Sequence, residues 1–93
     1  MEGTMDDAEI RERLDGLDGW ELDGTVIRRD FDRGDFKGSV EFLNAITPVA
    51  EEMNHHPDIE ISWKTVTVSL TSHSEGGLTE NDFVLAGKID ALA

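Results

Sequence analysis

Three histidines are the side chains best placed to move protons near neutral pH, because imidazole is the group whose unperturbed pKa lies there. They stand at positions 55, 56 and 73 of a 93-residue chain. His55-His56-Pro57 follows a stretch of helical periodicity, so the pair sits at a helix C-terminus, where unpaired carbonyls favour a cation by about 0.3–1 kcal/mol. Capping that end and general acid–base work are both open to it. His73 closes an alternating stretch, Leu70-Thr71-Ser72-His73, and alone reads as a surface histidine. Its position relative to the pair carries more weight. The helix bearing His55 leads into one strand, and His73 ends the next. In antiparallel neighbours the start of one strand lies beside the end of the other. Pro57 then falls near Ser72, and the three imidazoles converge at one end of a sheet.

Two carboxylates can serve them. Glu51 lies four residues before His55, one helical turn away, where it either orients that imidazole or forms an ordinary exposed pair worth about 0.2–0.5 kcal/mol. Asp82 closes Thr79-Glu80-Asn81-Asp82, which resembles a capping box with Asp in place of Glu or Gln. Three histidines with Glu51 or Asp82 satisfy the ligand count of a zinc site. Adjacent histidines at a helix end diverge, however, and spacings such as H-E-x-x-H are absent, so no metal is expected. Gly76-Gly77 either cradles an anion or simply turns the chain. Trp20 and Trp63 read first as core, or as ring faces for a planar ligand. No G-x-S-x-G elbow, phosphate loop or dinucleotide fingerprint occurs.

The elements that must position these groups follow from periodicity. A short helix over residues 6–15 carries Ile10 and Leu14, with Gly16 to end it. Asp23-Gly24 is a two-residue hairpin signal that pairs Leu22 with Thr25 and Trp20 with Ile27; the second strand continues to about Phe31. From Phe36 to Met53 the apolar stripe is helical: Phe36, Val40, Leu43, Ile46, Val49, Ala50 and Met53. Pro48 lies inside it, and Pro57 stops it. Ile59, Ile61 and Trp63 alternate, as do Val66, Val68 and Leu70, but with opposite parity. A hairpin turn at Lys64-Thr65 reconciles them, with Trp63 facing Val66 and Ile59 facing Leu70. A last helix starts at Thr79, with Leu78 and Phe83 as its hydrophobic staple and Phe83, Ala86, Ile89, Leu92 and Ala93 on its buried face. The expected fold class is α+β, a four-stranded antiparallel sheet with about three helices packed on one face.

Composition bounds the rest. Ninety-three residues allow one small domain, expected to span residues 1–93, with a modest core. The absence of cysteine excludes a disulfide framework, a thiolate zinc site and a thiol nucleophile. No apolar run approaches the roughly 18 residues of a membrane span, and the acidic start lacks the basic region of a signal peptide; a cytoplasmic location is expected. Eight Lys and Arg against 21 Asp and Glu give a net charge of −13. Such a field repels phosphate backbones and anionic bilayers, so neither nucleic acid nor membrane is an expected partner. An excess of carboxylates with few lysines suits concentrated salt, where self-repulsion is screened. Stability is therefore expected to rise between low and molar salt, which thermal melts at the two conditions would check.

The pattern Glu51-x3-His55-His56-Pro57-x5-Trp63-x9-His73-x8-Asp82 resembles the signature of the pterin-4a-carbinolamine dehydratases. The likeness extends to Gly19-Trp20, Phe31, Phe36, Val49-Ala50-Glu51, Thr71-Ser72-His73 and Gly77-Leu78-Thr79, and covers roughly residues 17–92. It implies an α+β fold, assembly as homodimers or as tetramers built from dimers, and dehydration of 4a-hydroxytetrahydropterin to quinonoid dihydropterin. That reaction recycles a tetrahydropterin and needs no metal or organic cofactor. By the resemblance His55, His56 and His73 are the catalytic set. His55 and His73 are assigned as acid and base and His56 as pterin-orienting, with Glu51, Pro57, Trp63, Asp82 and Trp20 as binding or orienting residues. Asn54 departs from the acid that members often carry before the His pair; if that acid tunes an imidazole, the pH optimum here is shifted down. Some relatives act as dimerisation cofactors for a transcription factor, so a non-catalytic interaction module is the alternative function.

Overall fold

A computed structural model describes residues 4–93. Helix α1 (Asp7–Asp15) begins where Asp6 and Glu9 exchange side-chain-to-backbone hydrogen bonds in a capping box. Strands β1 (Glu21–Asp23) and β2 (Val26–Asp32) form the first hairpin, and α2 (Phe36–Met53) crosses to the second, β3 (Asp58–Ser62) and β4 (Thr65–Leu70). A 3₁₀ turn over His73–Glu75 leads to α3 (Glu80–Leu92). The strand order is β1-β2-β4-β3, antiparallel throughout, as the alternation predicts. Among the described residues no helix is long and apolar enough to cross a membrane.

The core lies between one sheet face and the helices. Ile27 and Phe31 of β2 and Val66, Val68 and Leu70 of β4 meet Phe42 and Ile46 of α2 and Phe83, Leu85, Ala86 and Ile89 of α3. The other sheet face is polar: Arg28 pairs with Asp23 and bonds Ser69, and Thr67 donates to Asp30. α1 is tied down by an ion pair between Arg13 and Glu80. That bond raises the Arg13 pKa and holds the Glu80 carboxyl below the usual carboxylate range.

Three details differ from the expectation. Both hairpins turn one residue away from the expected position. Leu22 pairs with Ile27 across a Gly24-Thr25 turn, and Ile59 pairs with Val68 across Trp63-Lys64. Each pairing shifts by two in register, so every side chain keeps its face. Trp63 therefore sits in a turn rather than in a strand. It adopts a left-handed conformation (φ 53°) and its ring is 66% exposed, which corrects its placement opposite Val66 in the core. The buried face of α2 is Ser39, Phe42, Ile46 and Ala50, while Phe36 is exposed. This helix carries apolar residues on two faces, and periodicity alone picked the wrong edge of the stripe.

Candidate active site

The site is assembled where α2 ends. Asn54 terminates the helix in the left-handed conformation (φ 51°, ψ 42°), its N–H reaching the Ala50 and Glu51 carbonyls. Asn tolerates that conformation better than most residues. The next N–H, of His55, also returns to the Ala50 carbonyl, at 3.1 Å. The chain has left helical geometry by His55, so the four-residue spacing from Glu51 no longer places the two on one face. Glu51 instead meets His56, with Oε2 2.7 Å from Nε2. This corrects the expected Glu51–His55 pairing. Both groups are more than half exposed.

His55 turns inward. Its Nε2 lies 2.6 Å from Asp82 Oδ1, and its side chain is 14% exposed while that of Asp82 is wholly buried. Asp82 occupies the first turn of α3, where negative charge is favoured by the helix dipole. Its second oxygen, Oδ2, accepts from the Thr79 N–H and from the Ser72 hydroxyl, each at 2.9 Å. Ser72 and Thr79 hydroxyls are 2.8 Å apart, and both residues are buried. A carboxylate only accepts, so the bond to His55 runs from Nε2–H to Oδ1. In the neutral imidazole that places the lone pair on Nδ1. Among the described residues Nδ1 has no hydrogen-bond partner, and it is not one of the buried unpartnered atoms, so it reaches the surface.

The observed register explains why Ser72 is there. With Asp58 opposite Ser69, continuing the ladder sets Pro57 opposite Leu70 and His55 level with Ser72. Sequence reasoning treated Ser72 and Thr79 only as parts of a pattern. The available signal was a small polar residue continuing the buried face of β4, with a carboxylate-bearing helix start at Thr79-Glu80-Asn81-Asp82 seven to ten residues later. His73 opens the 3₁₀ turn, is 82% exposed, and has Asp58 Oδ2 3.9 Å from its Nε2. The Gly76-Gly77 loop spends its amides on the Ser72 and His73 carbonyls, so it offers no anion cradle.

The two tryptophans lie elsewhere. Trp20 is buried, packs edge-on against Phe31, and donates from Nε1 to both Asp90 oxygens at 3.0 and 3.1 Å. Asp90 follows Asp82 by eight residues on α3, about 12 Å along the axis. Trp63 stands at the far end of β3, about 16 Å from its start. Pro57 does border His56. Together with Glu51 and His56 it joins Ile46, Ala50 and Ile59 in lining a cleft of about 200 Å³. A larger hollow of about 380 Å³ lies on the polar sheet face beside Arg28 and Thr67 and includes none of the histidines. The smaller cleft is lined by one histidine, His56, and by neither His55 nor His73. His55–Asp82 and His56–Glu51 form separate pairs, and among the described residues no three His, Asp or Glu side chains converge as a metal site would require.

The fold and site define an α+β protein with a part-buried His–Asp pair and two further imidazoles at one end of an antiparallel sheet. The family profile described as pterin 4 alpha carbinolamine dehydratase matches residues 3–92. The chain belongs to that family. A protein of Sulfurisphaera tokodaii, provisionally named as a pterin-4-alpha-carbinolamine dehydratase, is 49% identical over 88 residues, 95% of each chain. A transcriptional coactivator/pterin dehydratase from Brucella melitensis has a crystal structure that superposes with a TM-score of 0.92 at 37% identity, covering 97% of this chain and 98% of that one. A pterin dehydratase-like protein identified as a RuBisCO assembly factor in the alpha-carboxysome matches at a TM-score of 0.64 and 25% identity, over 80% of this chain and 86% of that one.

Proposed function

We propose that this chain is a hydro-lyase that dehydrates 4a-hydroxytetrahydropterin to quinonoid dihydropterin, with His55, His56 and His73 as its proton-handling set. The C4a–O bond breaks, the hydroxyl accepts a proton and leaves as water, and the adjacent ring nitrogen gives up its proton and closes a double bond to C4a. One acid and one base near neutral pH suffice. His55 supplies one of these roles through Nδ1, and His73 supplies the other. His56, held by Glu51 and lining the cleft with Pro57, binds and orients the pterin. Asp82 holds His55, and the reading calls for no metal or organic cofactor.

The observation that carries this reading is the buried Asp82 aimed at His55, within a chain of this family. Burying a carboxylate is costly unless it is fully bonded, and here Oδ2 takes the Thr79 cap and the Ser72 hydroxyl while Oδ1 is left to hold one imidazole. A protein-interaction module is the second reading. It draws on the coactivator and assembly-factor names of the two structural neighbours and on the exposed ring of Trp63, but gives the His55–Asp82 pair nothing to do. The test is to add folded protein, with and without chelator, to chemically generated 4a-hydroxytetrahydropterin and follow quinonoid product. Chelator-insensitive acceleration well above the spontaneous rate is expected. No acceleration at low or molar salt would overturn the dehydratase reading.

A further inference from the structure

We infer that Ser72, with Thr79 behind it, is a positioning residue that sets the tautomer of His55 by holding Asp82 in one orientation. The inference rests on the proposed role of His55. Ser72 has one hydroxyl proton, and it is directed at Asp82 Oδ2 at 2.9 Å. The 2.8 Å contact between Ser72 and Thr79 hydroxyls must then be donated by Thr79. The result is a one-way chain of donors, Thr79 O–H to Ser72 Oγ and Ser72 O–H to Asp82 Oδ2, joined by the Thr79 N–H on the same oxygen. Both hydroxyl residues are more than nine-tenths buried, so water does not substitute freely for either.

Two donors on Oδ2 leave Oδ1 as the oxygen that faces His55, and an oxygen without a proton accepts only from Nε2–H. Ser72 thus acts on the reacting nitrogen, Nδ1, from two bonds away, without touching substrate. Removing its hydroxyl leaves Oδ2 with one donor, frees the carboxylate to rotate, and relaxes the choice of tautomer.

Nitrogen-15 NMR on histidine-labelled protein reads this directly. The wild-type His55 is expected as the Nε2–H tautomer, and Ser72→Ala is expected to give a mixture, with Ser72→Thr restoring the single form. In the dehydration assay Ser72→Ala is expected to lower kcat about tenfold with little change in KM. The same substitution in an Asp82→Ala background is expected to cost less than about twofold, since its effect runs through Asp82. A wild-type Nδ1–H tautomer, an unchanged tautomer in Ser72→Ala, or equal losses in both backgrounds would overturn the inference. If Asp82→Ala does not fold, the tautomer of Ser72→Ala decides alone. A wild-type chain inactive on the carbinolamine but with His55 held as Nε2–H would defeat the dehydratase reading and leave this one standing.

Discussion

Replacing Asp82 by Asn keeps the side chain's volume and removes its charge, which separates the capping of α3 from the control of His55. Thr79 N–H and Ser72 O–H both donate to Oδ2, so the amide oxygen takes that place and its NH₂ faces His55. Two donors then meet at 2.6 Å unless the imidazole moves its proton to Nδ1. The cap survives, and a charge-assisted bond of about 1.5–3 kcal/mol becomes a neutral one of about 0.5–1.5. The net loss of about 1–2 kcal/mol lowers the Tm of a chain this size by roughly 5–15 °C. Activity suffers more, because the nitrogen left to react now carries the proton. Restoring the working tautomer against a bias of about 2–3 kcal/mol costs roughly 30–150-fold in kcat. Stopped-flow dehydration kinetics and thermal melts on Asp82→Asn measure the two effects separately. A fall in Tm with kcat unchanged would refute the reasoning and reduce Asp82 to a helix cap.

Three further outcomes are expected. Trp20→Phe keeps the ring against Phe31 but loses the Nε1 bonds to Asp90, which retains Arg29; stability drops about 1 kcal/mol with kcat and KM unchanged, and a several-fold rise in KM would instead place Trp20 against substrate. Trp63→Asn relieves a left-handed tryptophan that is already exposed, so the Tm should rise, by about 1 kcal/mol of stability; a fall would mean that the ring is packed in the assembled protein. Arg13→Gln removes the bond that depresses the Glu80 carboxyl. A depressed carboxyl stabilises the fold above its unfolded pKa of about 4.3 and loses that contribution as pH falls through the folded value. The small deficit of the variant, small because the pair is exposed, should therefore shrink in acid. Denaturant titrations near neutral pH and well below pH 4 check this, and a deficit that grew in acid would contradict it.

Much of the framework was legible because parity and period report faces rather than registers. Alternation in Ile59–Trp63 and Val66–Leu70 demanded a hairpin, and it is there. Its turn was placed one residue late because nothing in Trp63-Lys64 announces a left-handed residue, whereas Gly or Asn would have. The span of α2 was read correctly, but Phe36, Val40 and Leu43 made a second apolar edge that masked Phe42. Connectivity alone put the three histidines at the same end of the sheet, before β3 and after β4, but each takes a different carboxylate. Those partners were not legible, because the Asn54 cap ends the helix before His55 and hands Glu51 to His56. The role of Asp82 beyond capping was suggested by the family pattern rather than by spacing. Asn54 itself has a backbone reason to be there, quite apart from any tuning of the histidines.

The most direct test of the account compares wild-type protein with a His55→Ala, His73→Ala double variant in the dehydration of 4a-hydroxytetrahydropterin, after both are shown to fold. The account predicts strong acceleration by the wild type and a rate reduced to the spontaneous background in the variant. A folded double variant that retains the wild-type rate would contradict it, because the proton transfers would then belong to other groups.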